Sequence, residues 1–225
     1  MDSTNIVRRI DKSPNPSIYL IVFPATGRTF MSYVRFARKL PGTIGCLFVG
    51  ESIYDMPSID AIRDAIDQEM KVLLNSDKCF VLGHCGGNSL AQFICAKSYI
   101  SSQILATIMI DVYPKASDQL KSDIDKKSAK KVIDNTKMLT DGEKSLALGR
   151  YYRAVNFADS LEKERSNVPT YIITNIKGYE FNEIRETHPK LKEIIYKEGE
   201  IDELDDVITN KVMNLVKTTL NLTDR

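Results

Sequence analysis

Short apolar runs bounded by turn residues recur along the chain and predict strands at Ile18–Phe23, Cys46–Val49, Cys79–Leu82, Ile104–Ile110, Tyr171–Thr174 and Glu193–Tyr196. Between them, apolar positions repeat at helical spacing and predict helices over Phe30–Leu40, Ile59–Leu74, Ser89–Tyr99 and Asp206–Leu220. Strands that are apolar throughout, alternating with amphipathic helices, imply an α/β fold: a mostly parallel sheet covered by helices on both faces. Ligands of such sheets gather at the carboxyl ends of the strands. The alternation breaks between Pro114 and Asn167, where the chain is helix-prone and charged, with Lys121, Asp123, Asp125, Lys126, Lys127, Lys130 and Lys131. This segment reads as a helical lid, about 115–166, inserted into a single domain spanning 1–225; a solvated helical excursion without a gating role is the plainer alternative.

Composition narrows the class. The 225 residues are 43% hydrophobic and 27% charged, with a net charge of +1, so no strong field suggests nucleic acid as a partner. No apolar stretch is long enough to span a membrane, and Met1–Asn5 lacks the charged-then-apolar layout of a signal peptide. The four cysteines (Cys46, Cys79, Cys85, Cys95) lie in or beside apolar runs, with no Cys-x-x-Cys pair and only two histidines in the chain. That argues against a zinc site and for reduced thiols in a cytoplasmic, monomeric protein.

One stretch carries chemistry. Phe80-Val81-Leu82-Gly83-His84-Cys85-Gly86-Gly87-Asn88 runs from an apolar strand through Gly-x-Cys-x-Gly into a helical pattern. This is the strand–turn–helix context of a nucleophile elbow, with cysteine where serine usually stands. Side chains at Gly83 and Gly87 would collide with the neighbouring strand and helix. Cys85 would lie at a helix N-terminus, whose partial positive charge favours thiolate. A buried cysteine in a glycine-rich turn is the bland reading. Asp111 closes an apolar strand ahead of Tyr113-Pro114, and reads either as an acid that orients a base or as a turn cap.

Phe23-Pro24-Ala25-Thr26-Gly27 followed by Met31-Ser32-Tyr33, Gly83-His84-Cys85-Gly86-Gly87-Asn88-Ser89-Leu90-Ala91, and Ile108-Met109-Ile110-Asp111-Val112-Tyr113 together resemble the thioesterases of nonribosomal peptide and polyketide assembly lines. The likeness spans residues 18–115. It implies the α/β-hydrolase fold and transfer of an acyl or peptidyl group from the phosphopantetheine arm of a carrier protein, with no bound cofactor or metal. Cys85 would be the nucleophile and Asp111 the acid. The backbone N–H groups of Gly86 and Thr26, with Ala25 close behind, would form the oxyanion hole.

The family's histidine belongs in Glu198-Gly199-Glu200-Ile201-Asp202-Glu203-Leu204, where Glu200 stands instead. Three repairs are open: His188 swings in from another loop, Glu200 acts as a weak base, or a thiolate attacks unaided. The third suits the serine-to-cysteine exchange best, because a thiol is partly ionised near neutral pH without help. His84 reads as packing beneath the turn. Arg150-Tyr151-Tyr152-Arg153 can line an acyl channel, meet a carrier's phosphate, or simply form a half-exposed helix face. The expected activity is thioester hydrolysis or acyl transfer, the latter favoured; a silent carrier-binding protein is the alternative.

Overall fold

The computed structural model describes residues 6–11, 13–25, 28, 30–74, 77–112, 130, 131, 133, 140–161, 166–175, 185, 188–198, 201 and 204–223. Seven strands form one sheet: β1 (Val7–Arg9), β2 (Ile18–Phe23), β3 (Ile44–Val49), β4 (Cys79–His84), β5 (Ile104–Ile110), β6 (Thr170–Thr174) and β7 (Leu191–Tyr196). Their spatial order is β1-β3-β2-β4-β5-β6-β7. All neighbours run parallel except β1, which pairs antiparallel with β3. The described helices are α1 (Phe30–Ala37), α2 (Ile59–Leu74), α3 (Gly87–Lys97), α4 (Asp141–Leu161) and α5 (Asp206–Thr223), with short 3₁₀ turns at Glu51–Asp55 and Tyr99–Gln103.

The near-continuous apolar runs become strands buried on both faces: every residue of β2, β3, β4 and β6 is buried. Alternation within each strand sends neighbours to opposite layers. Ile21, Leu47 and Val81 pack under Ile62, Ile66 and Met70 of α2 and Leu90 and Ile94 of α3. Leu20, Cys46, Phe80 and Ile108 pack under Tyr33 and Phe36 of α1 and Ile208, Val212 and Val216 of α5. One fully buried aliphatic side chain contributes about 1.5–3 kcal/mol, so these two layers hold the sheet rigid beneath whatever sits on its edge.

The expected strands are all present, with β3, β4 and β7 each longer by two residues: β3 and β7 start earlier and β4 ends later. The edge strand β1 went unanticipated, because Val-Arg-Arg is too short and charged to give an apolar run. What holds it is non-local: both carboxylate oxygens of Glu69, on α2, accept the Ile6 and Val7 amides at 2.8 Å. Half of the expected lid, 115–166, lies outside the described residues; of the rest, α4 is the principal element. Among the described residues no helix is long and apolar enough to cross a membrane.

Candidate active site

The carboxyl end of β4 meets α3 in a two-residue turn, Cys85-Gly86. Cys85 adopts φ 48°, one of two non-glycine residues with positive φ among the described residues. A cysteine gains nothing intrinsic from the left-handed region, so the surrounding structure must hold it there. It does so from three sides. The Cys85 N–H donates to the Ile110 carbonyl at 2.9 Å, and the Asn88 side-chain amide donates to the same oxygen at 2.9 Å. The Asn88 N–H closes the turn onto the Cys85 carbonyl at 3.0 Å.

The glycines permit the approach. A Cβ on Gly83 would lie 2.6 Å from Asn88 Oδ1 and 2.8 Å from Asn88 Cα. One on Gly87 would lie 2.3 Å from the Phe23 carbonyl oxygen and 2.5 Å from that of Pro24. Gly83 therefore lets α3 lie against its own strand, and Gly87 lets the helix start against the end of β2. The collision expected from the sequence is present at both positions. Cys85 itself is partly exposed at the N-terminus of the 11-residue α3, while Cys46, Cys79 and Cys95 are buried. Burial pushes the Cys79 and Cys95 thiols up to about 12, so neither competes as a nucleophile.

Asp111 stands beside this turn. His84 and Ile110 are register partners in the β4–β5 pair, so Cys85 and Asp111 are the next residues on adjacent strands. Asp111 is buried, has φ 56°, and donates its N–H to the Ile173 carbonyl at 2.9 Å. The Gly86 amide makes no hydrogen bond among the described residues, which leaves it available to an oxyanion.

The second donor needs correction. Ala25 is buried and its N–H donates to Tyr33 Oη at 2.7 Å, while its carbonyl accepts the Arg28 N–H at 3.0 Å. An amide committed to a phenol cannot also face an oxyanion, so Ala25 is not that donor. Thr26, the other expectation, lies outside the described residues.

His188 also needs correction. It lies three residues before the start of β7, its carbonyl accepting the Leu191 N–H at 3.0 Å, which puts it at the amino-terminal edge of the sheet. Cys85 lies at the carboxyl edge. The two edges are separated by about 20 Å, the length of a six-residue strand. His188 is buried rather than solvent-exposed, and from there it cannot act as a base toward Cys85. Glu200 lies outside the described residues. Its segment starts from Lys197, whose N–H donates to the Thr174 carbonyl at 2.8 Å and whose ammonium pairs with Asp205 at 3.0 Å.

His84 packs beneath the turn as expected. It is 3% exposed, with Nδ1 3.0 Å from Tyr33 Oη. His188 thus stands at the far edge of the sheet from Cys85, and His84 Nδ1 is engaged by Tyr33.

Sequence reasoning missed two tyrosines and a glutamate. Tyr33 and Tyr54 are buried, and burial pushes both phenols well above the usual range, so each stays a neutral hydroxyl. Cys85 and Glu51 each push both phenols further up, which puts each phenol within electrostatic reach of both groups. The available signal was the Gly50 break after β3: residues just past a parallel strand lie on the ligand edge.

Helix α4 covers this edge. Arg150 Nε donates to Asp55 at 2.9 Å, Arg153 also pairs with Asp55, and the Arg153 guanidinium donates to the Tyr54 carbonyl. The arginines therefore clamp the helix to the 3₁₀ turn instead of waiting for a phosphate. Beneath the clamp Tyr54, Ile59, Gly86, Ser89, Leu90, Ala154 and Phe157 come together in an apolar contact that leaves no room for a bound molecule.

No protein-family model matches the sequence, and a search of curated proteins finds no match. Solved structures do match. The chain is similar to the thioesterase domain SrfTE, which cyclises the lipopeptide antibiotic surfactin, at 14% identity over 98% of this chain and 99% of that one, with a TM-score of 0.68. It is similar to an epoxide hydrolase from Vigna radiata, at 14% identity over 94% of each chain and a TM-score of 0.65. MenH from S. aureus matches at 13% identity over 97% of this chain and 99% of that one, with a TM-score of 0.62. The fold is that of the α/β-hydrolases.

Proposed function

We propose that this protein is a thioesterase-like acyltransferase that accepts an acyl or peptidyl group from a carrier protein's phosphopantetheinyl thioester onto Cys85. The observation that carries this reading is Cys85 held at φ 48° between β4 and α3. A residue is kept in such a conformation when its side chain must project from the sheet edge. The Sγ attacks the thioester carbonyl, the carbonyl oxygen gathers negative charge beside the Gly86 amide, and collapse expels the phosphopantetheine thiolate. The product is a Cys85 thioester, nearly isoenergetic with the substrate, so the acyl group keeps its activation. Asp111 lies next to the nucleophile, and with His188 at the far edge of the sheet this reading assigns no triad base; a thiolate attacks unaided.

Discharge follows from the same absence. Water needs a base to take its proton in the transition state, and lacking one costs roughly 10²–10⁴-fold. A thiol acceptor suffers less, because part of it is already ionised. The acyl-enzyme should therefore persist in buffer and be discharged by an added thiol or amine. The experiment loads Cys85, removes free substrate and follows the adduct by mass. Loss in plain buffer that acceptors do not accelerate would point to an ordinary hydrolytic enzyme. A chain that never loads would point to a silent carrier-binding protein.

A further inference from the structure

We propose that Tyr33 is a positioning residue: its hydroxyl ties the loop after β2 to the strand that carries the nucleophile, and so sets the spacing between Cys85 and that loop. The proposal rests on the acyl-enzyme reading above. Tyr33 comes from α1, on the layer opposite α3, and is 2% exposed. Its Oη accepts the Ala25 N–H at 2.7 Å and lies 3.0 Å from His84 Nδ1. His84 is the residue immediately before Cys85. One buried oxygen thus bridges the two segments that must be held in register for an elbow to work.

The chemistry of the bridge is specific. A phenylalanine would fill the same space and pack equally well against Phe48, whose ring centroid lies 5.4 Å away. Burying a hydroxyl costs free energy unless its bonds are made, so the oxygen is retained for the bonds. Burial keeps the phenol neutral, and its hydroxyl and His84 Nδ1 share one hydrogen bond whose direction the His84 tautomer sets. Ala25 is pinned at both ends, by Tyr33 at its N–H and by Arg28 at its carbonyl. Gly87 meets the preceding residues of the same segment, with the Phe23 and Pro24 carbonyl oxygens against its Cα. The loop after β2 is therefore registered to the elbow twice, by close contact at Gly87 and by the hydroxyl bridge at Tyr33.

On the acyl-enzyme reading the loop after β2 supplies the second oxyanion donor, so a residue that positions it acts on carbonyl addition and not on the thiol's own reactivity. Two reactions of Cys85 separate these. Alkylation by iodoacetamide is a displacement with no oxyanion, whereas acylation by an acyl-pantetheine thioester develops one. Tyr33→Phe should slow acylation 10- to 100-fold and leave alkylation within about twofold. His84→Leu should do the same, because the hydroxyl loses its partner on the strand that carries the nucleophile. His84→Asn, whose amide can take the place of Nδ1, should recover most of the acylation rate. Circular dichroism and thermal unfolding establish that each variant is folded, and the two histidine variants keep the test alive if Tyr33→Phe is not. Wild-type protein that is alkylated but never acylated overturns the acyl-enzyme reading, and this proposal with it. Wild-type acylation that Tyr33→Phe matches overturns the Tyr33 assignment alone. Equal slowing of acylation and alkylation makes Tyr33 merely structural, and also overturns it.

Discussion

Replacing Gly87 with alanine should be costly for a reason that can be worked from distances. The new Cβ would stand 2.3 Å from the Phe23 carbonyl oxygen, where ordinary contact begins at 3.4 Å, so the two must separate by about 1 Å. Both partners are backbone, one at the end of β2 and one at the start of α3, so no rotamer change relieves the overlap. Overpacking of this kind costs about 1–3 kcal/mol, and the backbone contact argues for the upper half. Alanine returns up to about 1 kcal/mol of helix propensity, which leaves a net loss of about 1–2 kcal/mol. The same displacement moves the Gly86 amide away from the loop after β2, and a 1 Å misplacement can reduce acylation about 10²-fold. Urea denaturation monitored by circular dichroism measures the first effect, and the rate of Cys85 acylation the second. Gly142→Ala and Gly149→Ala are the controls: nothing lies within 4 Å of a Cβ at Gly142, and the nearest atom at Gly149 is the flexible Arg153 guanidinium at 4.0 Å. Mid-helix in α4, Gly149→Ala should gain about 0.5–1 kcal/mol. Gly87→Ala with wild-type stability and wild-type acylation would refute the packing of the elbow described above.

Other perturbations follow from single contacts. Asp55→Asn should unclamp α4: amide exchange over 141–161 should speed up, with little loss of global stability, since pairs this exposed are worth about 0–1 kcal/mol each. The Arg150 hydrogen bond, with the Arg150 and Arg153 charges, holds the Asp55 carboxyl below its ordinary 3.8 against the opposing effect of burial. A depressed carboxyl stabilises above its unfolded pKa, so the clamp should be intact at neutral pH and be lost as pH falls through and below about 4. Exchange in α4 that is unchanged between pH 7 and pH 3 would contradict this. Asn88→Ala removes a buried 2.9 Å bond to the Ile110 carbonyl and should cost about 1–2 kcal/mol in urea denaturation; a loss under 0.5 would show the bond to be incidental.

The sheet was legible because burial on both faces leaves a mark that no side chain disguises: β2, β4 and β5 are apolar almost without interruption. The elbow was legible because its glycines are required by contacts local in sequence, Gly83 against Asn88 and Ala91. What escaped depends on contacts distant along the chain. Strand β1 exists through Glu69, 62 and 63 residues away, and Asp55 meets arginines 95 and 98 residues on. Ala25 was misjudged for a different reason: its amide is claimed by a tyrosine eight residues on, and nothing in the sequence marks that hydroxyl as its acceptor. His188 was misjudged because a loop's place in the sequence does not say which end of a sheet it serves. Its position before β7 rather than after it decides that.

The account stands or falls on the bond at Cys85. Incubation with an acyl-phosphopantetheine thioester followed by intact-protein and peptide mass spectrometry should show one acyl group, on the peptide containing Cys85 and not on Cys46, Cys79 or Cys95. Cys85→Ala should show none, and Cys85→Ser almost none, because no triad base is assigned to activate the hydroxyl. An adduct that persists in Cys85→Ala, or a wild-type protein that acquires none from any acyl donor, would contradict it.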